Sequence, residues 1–225
     1  MPPYDSMNLG RLETDQPDVE KNFHVLAQTI GVSQFALCSQ VHGAHVEEVT
    51  EDFPFTFNPA EHRQADAMVT TMTNVALVIR VADCLPVLFA DTQARIIGAA
   101  HAGRQGLLAG VLEATVDKMR QLGADQIQAW IGPHVCVGCY EVPSDMAHDV
   151  WECLPATRGS SHHDTPAVDL GAGACSILTS LNIDVHQENR CTSCEPEYFS
   201  HRRDRGQTGR QAGVIWLETP HTWAC

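Results

Sequence analysis

Three short apolar runs follow one another between residues 75 and 106, in VALVIRVADCLPVLFADTQARIIGAAHAGRQG. Each run has about the length of one β-strand, and polar or turn-forming residues separate it from the next, which is typical of neighbouring strands. The segment therefore predicts a largely buried sheet. Two of the runs end beside reactive side chains, Asp83-Cys84 and His101, so a functional site is expected where these strands end.

Helix and strand patterns are mixed along the rest of the chain without strict alternation. Helices are predicted over residues 17–29, 103–123, 143–154 and 168–181. Strands are predicted over residues 34–41, 67–71, 75–81, 87–90, 95–100, 127–131, 183–186 and 213–217, and loops over 52–62 and 157–165. This mixture favours an α+β fold with mixed sheets over a doubly wound parallel sheet.

Length, composition and charge narrow the class of protein. A chain of 225 residues with 44% hydrophobic content suffices for one sizeable core, so a single domain over residues 1–225 is predicted. There is no apolar run of membrane-spanning length and no secretory pattern at the start, which predicts a cytoplasmic protein without membrane contact. The formal net charge of -14 leaves no basic face for nucleic acid, which is not an expected partner.

Nine cysteines, an odd number without a secretory signal, indicate reduced thiols rather than a disulfide framework. Two CxxC pairs stand out, Cys136 with Cys139 and Cys191 with Cys194. Two such pairs are typical of a structural zinc site, although these are further apart than in a compact zinc ribbon. Buried free thiols are the alternative.

Three separate segments end in a good ligand for a transition metal: His42, Cys84 and His101. Two imidazoles and one thiolate suit zinc and leave a fourth position open for water or substrate. The same set also suits type-1 copper. Gly43 and Gly103 lie next to these ligands, where a missing side chain lets the backbone approach a site closely.

Arginines are concentrated in the segment SHRRDRGQTGR near the C-terminus. Arg202, Arg203 and Arg210 are the candidates for binding a phosphate or carboxylate, since guanidinium groups bind such anions in a bidentate manner. A solvated turn with ordinary ion pairs is the alternative.

Six segments occur here in the same order as in the YfiH-type family, whose members are variously called laccase-domain, polyphenol oxidase or purine nucleoside phosphorylase proteins. They are QVHG (40–43), ADCLPVL (82–88), AHAGRQGLLAG (100–110), IGP (131–133), YEV (140–142) and FSHRRDRGQTGRQAG (199–213). The chain resembles that family over residues 5–217. The resemblance implies that His42, Cys84 and His101 bind one zinc, which copper can replace in vitro.

The resemblance also implies a fold and an activity. The implied fold is a single domain with mixed sheets in a four-layer α/β/β/α sandwich, resembling cysteine hydrolases. The implied activity is phosphorolysis of adenosine, inosine and methylthioadenosine, together with deamination of adenosine, so purine nucleosides and phosphate are the expected small-molecule substrates. One departure is Arg104, which stands one position before the arginine of the family's HAGWRG.

Several mechanisms remain open. Activation of water by the metal needs a proton acceptor, for which Asp83 and Asp66 are candidates by position. Alternatively, Cys84 is a nucleophile that His101 or His42 activates and Asp83 orients, but a thiolate bound to zinc is a poor nucleophile. Hydrolysis of peptidoglycan precursors, and a zinc that only stabilises the fold, are further alternatives. Copper-dependent polyphenol oxidation is disfavoured because the chain lacks the His-x-His pairs of multicopper oxidases.

Overall fold

The computed structural model describes residues 7–10 and 16–219. The α-helices within these residues are α1 (Gln16–Ile30), α2 (Arg104–Leu108), α3 (Val111–Gln121), α4 (Ser144–Cys153) and α5 (Leu170–Ser180). The strands are β1 (Gln34–Ala36), β2 (Val46–Glu48), β3 (Ala67–Thr70), β4 (Val75–Val81), β5 (Leu85–Asp91), β6 (Ile96–Ala102), β7 (Gln128–Ile131), β8 (Arg158–Ser160), β9 (Pro166–Val168), β10 (Asp184–Gln187) and β11 (Gln211–Trp216).

The strands form two mixed sheets and a hairpin. The smaller sheet has the order β1-β4-β11, in which β1 is parallel and β11 antiparallel to the central strand β4. The larger sheet has the order β10-β7-β5-β6-β3-β2 and also combines parallel and antiparallel pairs. The prediction of an α+β fold with mixed sheets is therefore confirmed. The four-layer sandwich and the likeness to cysteine hydrolases stay predictions.

Apolar side chains from both sheets form the core between them. Leu77 and Ile79 on β4 belong to one buried cluster with Met68 on β3 and Ile97 on β6. The other face of the larger sheet packs against α3 and α5. Packing of α3 on β6 is close, because a Cβ atom at Gly98 would lie 3.0 Å from the sulfur of Met119. Helix α1 covers the smaller sheet through Val19 and Phe23, which belong to a third cluster.

Two predicted elements differ from the observed ones for local reasons. The helix predicted over residues 103–123 is interrupted at Gly110, whose φ of 86° is left-handed and separates α2 from α3. The strand predicted over residues 34–41 ends at Ala36, and the chain then makes a single bridge through Ser39 to Gln64.

Elsewhere the strand and helix predictions agree with the structure more closely. Strand β4 coincides with the predicted range, and α1 extends the predicted helix by one residue at each end. Strand β2 was not predicted, and the predicted loop over 157–165 contains β8, which pairs with β9. No helix among the described residues has both the length and the apolar character needed to cross a bilayer.

Candidate metal centre and the adjoining cavity

The side chains of His42, Cys84 and His101 converge although they are far apart in the sequence. Each offers one ligand atom, and these three atoms all lie within 4.8 Å of one another. Antiparallel pairing of β5 with β6 places Pro86 opposite His101, so Cys84 in the preceding turn lies beside that histidine. His42 comes from the loop after β1, the parallel neighbour of β4, whose C-terminal end leads into the same turn. The predicted convergence is therefore present.

A buried carboxylate, Asp66, organises two of these three ligands. Its oxygen atoms accept hydrogen bonds from the backbone N–H groups of Val41, His42 and Gly43, at 3.1, 2.8 and 2.7 Å. These bonds hold His42 in its left-handed backbone conformation, with φ of 62°. Nδ1 of His101 donates to Oδ1 of the same carboxylate at 2.9 Å, which leaves Nε2 of that ring free to bind a metal.

The electrostatics of the three side chains favour a metal-binding thiolate. Burial raises the pKa of the Cys84 thiol, but hydrogen bonds to His101 and His42 outweigh it and lower the pKa to about 6. Burial lowers the pKa of His101, but its bonds to Asp66 and Cys84 raise the pKa to about 9. The pKa of Asp66 is lowered: burial opposes the charge, but the bond from His101 and the backbone N–H donors favour it. His101 thus lies between two negative groups, the Cys84 thiolate and the Asp66 carboxylate. A metal cation bound beside them would be stabilised by their charge.

The backbone at Gly103 passes close to two of the candidate ligands. A Cβ atom at Gly103 would lie 2.9 Å from Sγ of Cys84 and 3.1 Å from Cδ2 of His42. Position 103 therefore has to be glycine for the cluster to keep its shape. Together with the donor set and the carboxylate behind His101, this fits zinc at a three-ligand centre with an open coordination position.

The cluster lies in the wall of a cavity of about 680 Å³, a size typical of small-molecule sites. The cavity is also lined by polar and cationic side chains from separate parts of the chain: Gln40, Arg80, Asp83, His201, Arg202 and Arg210. Three arginines around one cavity contrast with the formal net charge of -14 for the whole chain. The cavity is therefore suited to an anionic ligand.

Backbone carbonyls and an aromatic ring hold the three cavity arginines in place. Arg80 donates to the carbonyl oxygens of Gly10 and Cys38 at 3.1 and 3.2 Å. Arg210 donates to the carbonyl oxygens of residues 208 and 209. The guanidinium of Arg202 lies over the ring of Tyr140, 5.2 Å from its centroid. Two of the three predicted anion-binding residues, Arg202 and Arg210, thus line the cavity.

Arg203 is the third predicted anion-binding residue, and the structure does not place it among the residues that line the cavity. Its guanidinium donates to the backbone carbonyls of Thr192, Glu195 and Tyr198, and to the carboxylate of Asp204. These bonds connect the turn that carries Arg202 to the segment around residue 195. The contacts give Arg203 a positioning role.

Asp83 lines the cavity but both of its carboxylate oxygens are engaged. Oδ1 accepts from the hydroxyl of Thr192 at 2.7 Å, and Oδ2 accepts from the backbone N–H of Arg202 at 2.6 Å. Its backbone has a left-handed φ of 93°, and the side chain is buried. The observed contacts orient the arginine turn, and the catalytic role of Asp83 stays a prediction, as does that of Cys84.

Sequence reasoning missed two cavity residues that it had signals for. Arg80 is the single charged residue in the apolar strand VALVIRV, and a charge in a buried strand needs a specific environment. His201 lies within the arginine-rich segment, and an imidazole beside anion-binding groups is a candidate proton carrier. Gln40, whose amide bonds to the backbone of Arg80 in both directions, opens the QVHG segment, but its residue type does not predict a place in the cavity wall.

The fold is a mixed α+β fold with a cluster of three potential metal ligands at a cavity, and comparison with known proteins identifies the family. The sequence model described as "Multi-copper polyphenol oxidoreductase laccase" matches residues 1–218. The chain therefore belongs to this family of enzymes, which act on small molecules.

Relatives and a solved structure agree with this assignment. A purine nucleoside phosphorylase of Streptomyces coelicolor is 42% identical over 222 residues, covering 96% of this chain and 90% of the relative. The purine nucleoside phosphorylase YfiH of Escherichia coli is 35% identical over 224 residues, covering 96% and 88%. The crystal structure of a Bacillus licheniformis protein, YfiH, has a TM-score of 0.87 at 29% identity, covering 97% of this chain and 88% of that one.

Proposed function

We propose that this protein is a zinc-dependent purine nucleoside phosphorylase that acts on adenosine, inosine and methylthioadenosine, with adenosine deamination as a second activity. The observation that carries the proposal is the metal-ligand cluster in the wall of a cavity that three arginines also line. Phosphorolysis needs both a site for phosphate and a site for the nucleoside in one cavity. The names of the relatives supply the nucleoside, and the arginines supply the means to bind phosphate.

Arg202, Arg210 and Arg80 would bind the phosphate oxygens. In phosphorolysis one of these oxygens forms a bond to C1′ of the ribose while the bond from C1′ to N9 of the purine breaks. The electron pair leaves with the purine, which takes up a proton, and the products are ribose 1-phosphate and the free base. Positive charge develops on the ribose during this step, and an oriented phosphate dianion stabilises it.

His201 is the cavity residue suited to supplying the proton. Its imidazole lies in the same cavity wall as Arg202 and can carry a proton at either ring nitrogen. Gln40 can hold a hydroxyl or a ring nitrogen of the substrate, because its amide is fixed against the backbone of Arg80. Asp83 keeps Arg202 oriented through the backbone N–H of that residue.

His42, Cys84 and His101 would hold the zinc, with Asp66 keeping His101 in the correct tautomer. When bound, zinc supplies Lewis-acid polarisation and a water of lowered pKa, which is the chemistry that deamination of a purine requires. Because Cys84 belongs to the ligand set, its proposed role is ligation rather than nucleophilic attack.

The test is a pair of assays on the purified, zinc-loaded protein with adenosine as substrate. With phosphate present, we expect adenine and ribose 1-phosphate; without phosphate, we expect slower formation of inosine and ammonia. His101→Ala is expected to lose the zinc at this centre and, because the ligand cluster forms part of the cavity wall, to abolish both activities. Cys153→Ser, which alters an exposed cysteine outside the three-ligand centre and outside the two CxxC pairs, serves as the control and should retain both activities.

Other outcomes would replace this proposal. If the protein turns over no nucleoside but hydrolyses a peptidoglycan precursor, the alternative hydrolase activity is the correct one. Oxidation of phenols that depends on copper and exceeds nucleoside turnover would indicate the polyphenol oxidase of the family description.

Fractionation of cells that express the protein would test the predicted cytoplasmic location.

A further inference from the structure

A second cluster of potential metal ligands lies apart from the cavity. The sulfur atoms of Cys136, Cys139, Cys191 and Cys194 all lie within 4.8 Å of one another. The two CxxC pairs of the sequence, separated by about fifty residues of chain, therefore meet in the fold. Helix α4, the β8–β9 hairpin, helix α5 and strand β10 lie between the two pairs along the chain, so local sequence alone does not bring them together.

The distances between the sulfur atoms fit ligands around one ion. Sγ of Cys194 lies 3.4 Å from Sγ of Cys139 and 4.0 Å from Sγ of Cys136. A disulfide would require about 2.05 Å. Four thiolates around zinc, at bond lengths of about 2.3 Å in a tetrahedron, place their sulfur atoms about 3.8 Å apart. The two observed distances lie on either side of that value.

The surroundings of the sulfur atoms also suit thiolates. The backbone N–H of Cys136 donates to Sγ of Cys191 at 3.3 Å. Three of the four cysteines are half-buried, and Cys194 is exposed. Four cysteine ligands fill a tetrahedral site and leave no position for water or substrate, unlike the three-ligand centre at His42.

We propose that Cys136, Cys139, Cys191 and Cys194 bind a second zinc ion whose role is structural. This ion would join the segment after β7 to the segment after β10. The two segments already meet at a bridge between His134 and Cys191, where the backbone N–H of Thr192 donates to the carbonyl of His134 at 3.0 Å. The ion holds this junction together in a region with little regular secondary structure.

The junction is connected to the cavity through three sets of contacts. The hydroxyl of Thr192 donates to Asp83, whose other carboxylate oxygen accepts from the backbone of Arg202. The carbonyl oxygens of Thr192 and Glu195 accept from the guanidinium of Arg203, the neighbour of Arg202. Tyr140, on which the Arg202 guanidinium lies, directly follows Cys139. The four-cysteine site thus fixes the position of Arg202, a consequence that rests on the proposed phosphate-binding role.

Zinc content tests the site independently of any activity. After purification under reducing conditions and gel filtration, the unaltered chain should hold about two zinc ions by elemental analysis. His42→Ala should hold about one, and so should the paired variant Cys139→Ser with Cys194→Ser. All three changes together should leave none. Cys153→Ser is the matched control and should keep both ions.

Cobalt distinguishes the two sites in spectroscopic terms. His42→Ala, loaded with Co²⁺ at its remaining site, should show tetrahedral d–d bands and thiolate-to-cobalt charge transfer about four times as intense as that of the paired cysteine variant, because four sulfur ligands replace one. The proposal would be overturned if the unaltered chain held only one zinc ion and His42→Ala held none. So would a mass lower by about two hydrogens per cysteine pair in the reduced preparation, which would show disulfides.

A kinetic measurement tests the connection to the cavity. The paired cysteine variant should raise the KM for phosphate by about tenfold while retaining the zinc at His42. If the metal counts are as expected but the nucleoside is not turned over by any form, the proposed function fails and the structural site stands. If zinc is lost from the cysteines with no change in KM, the site is structural without positioning Arg202.

Discussion

Nδ1 of His101 lies 2.9 Å from Oδ1 of Asp66, and both side chains are almost completely buried. The same carboxylate accepts three backbone N–H groups from the loop that carries His42. One side chain therefore sets the tautomer of one metal ligand and the backbone conformation of another. A three-ligand centre built on two loops and a strand needs such a common anchor, because no single secondary-structure element positions all of its members.

The first prediction concerns this anchor. Asp66→Asn removes the negative charge and turns an amide N–H donor towards the backbone N–H groups of the His42 loop, which are donors themselves. We therefore expect zinc affinity at the His42 centre to fall by about 10–100-fold. Competition with a chelator measures the change. The matched control is Asp91→Asn, another buried carboxylate that accepts backbone N–H groups but lies away from the cavity. Equal affinity in Asp66→Asn and the unaltered chain would refute the anchoring role.

The second prediction concerns the glycine beside the ligands. Gly103→Ala places a methyl group 2.9 Å from Sγ of Cys84, so we expect displacement of the thiolate and loss of zinc from this centre, with the fold retained. Gly43→Ala is the control, since its Cβ would meet its nearest neighbour, an oxygen of Asp66, at an ordinary 3.5 Å. Elemental analysis with circular dichroism separates metal loss from unfolding. Full zinc content in Gly103→Ala would contradict the prediction.

Sequence patterns predicted the parts of the fold that depend on local signals. The continuous apolar run of β4 and the glycine after α1 are such signals, and both elements were found almost at their predicted bounds. The break at Gly110 was missed, because an isolated glycine in an amphipathic pattern is compatible with one continuous helix. Helices α2 and α3 each contact β6, and such tertiary packing is not visible in the local sequence.

The site shows the same limit. Residue types and the motifs around them predict His42, Cys84 and His101 as metal ligands, and the structure brings these three side chains together. The anchoring role of Asp66 depends on a loop that lies more than twenty residues earlier in the chain, so its sequence neighbourhood suggested only a turn or a proton carrier. Likewise, sequence cannot tell Arg202 from Arg203: only the fold shows which of two adjacent guanidinium groups lines the cavity.

The third prediction separates these two arginines. Arg202→Ala should raise the KM for phosphate by about tenfold or more with little change in thermal stability, because its side chain lines the cavity and packs on Tyr140. Arg203→Ala should instead lower stability by about 0.5–1.5 kcal/mol, because three partly exposed backbone carbonyl groups lose a charged donor. Urea unfolding and phosphate-dependent kinetics on both variants measure the two effects. Arg205→Ala, at an exposed position of the same turn, should change neither quantity, and interchange of the effects between Arg202 and Arg203 would show that the assignment is wrong.

The last prediction concerns the pH dependence of stability and rests on Asp91 at the end of β5. Its carboxylate is buried and accepts four backbone N–H groups, from Gln93 and Ala94 at one oxygen and from Asp125 and Gln126 at the other. Burial opposes ionisation of Asp91, but these bonds outweigh it and lower its pKa below the ordinary value of an aspartate.

A carboxyl group whose pKa is lower in the folded than in the unfolded protein stabilises the fold at any pH above its pKa in the unfolded protein. That stabilisation is lost as the pH falls from the pKa of the unfolded protein through the pKa of the folded protein. Asp91→Asn should therefore cost about 1–3 kcal/mol at pH 7, and the cost should shrink as the pH falls below about 4. Urea unfolding of both proteins between pH 7 and pH 3 measures this difference, in which effects of acid on the metal centre cancel. Asp149→Asn, at an exposed position on α4, should show little cost at any pH. A cost for Asp91→Asn that stays constant down to pH 3 would mean that the carboxylate charge does not stabilise the turn after β5.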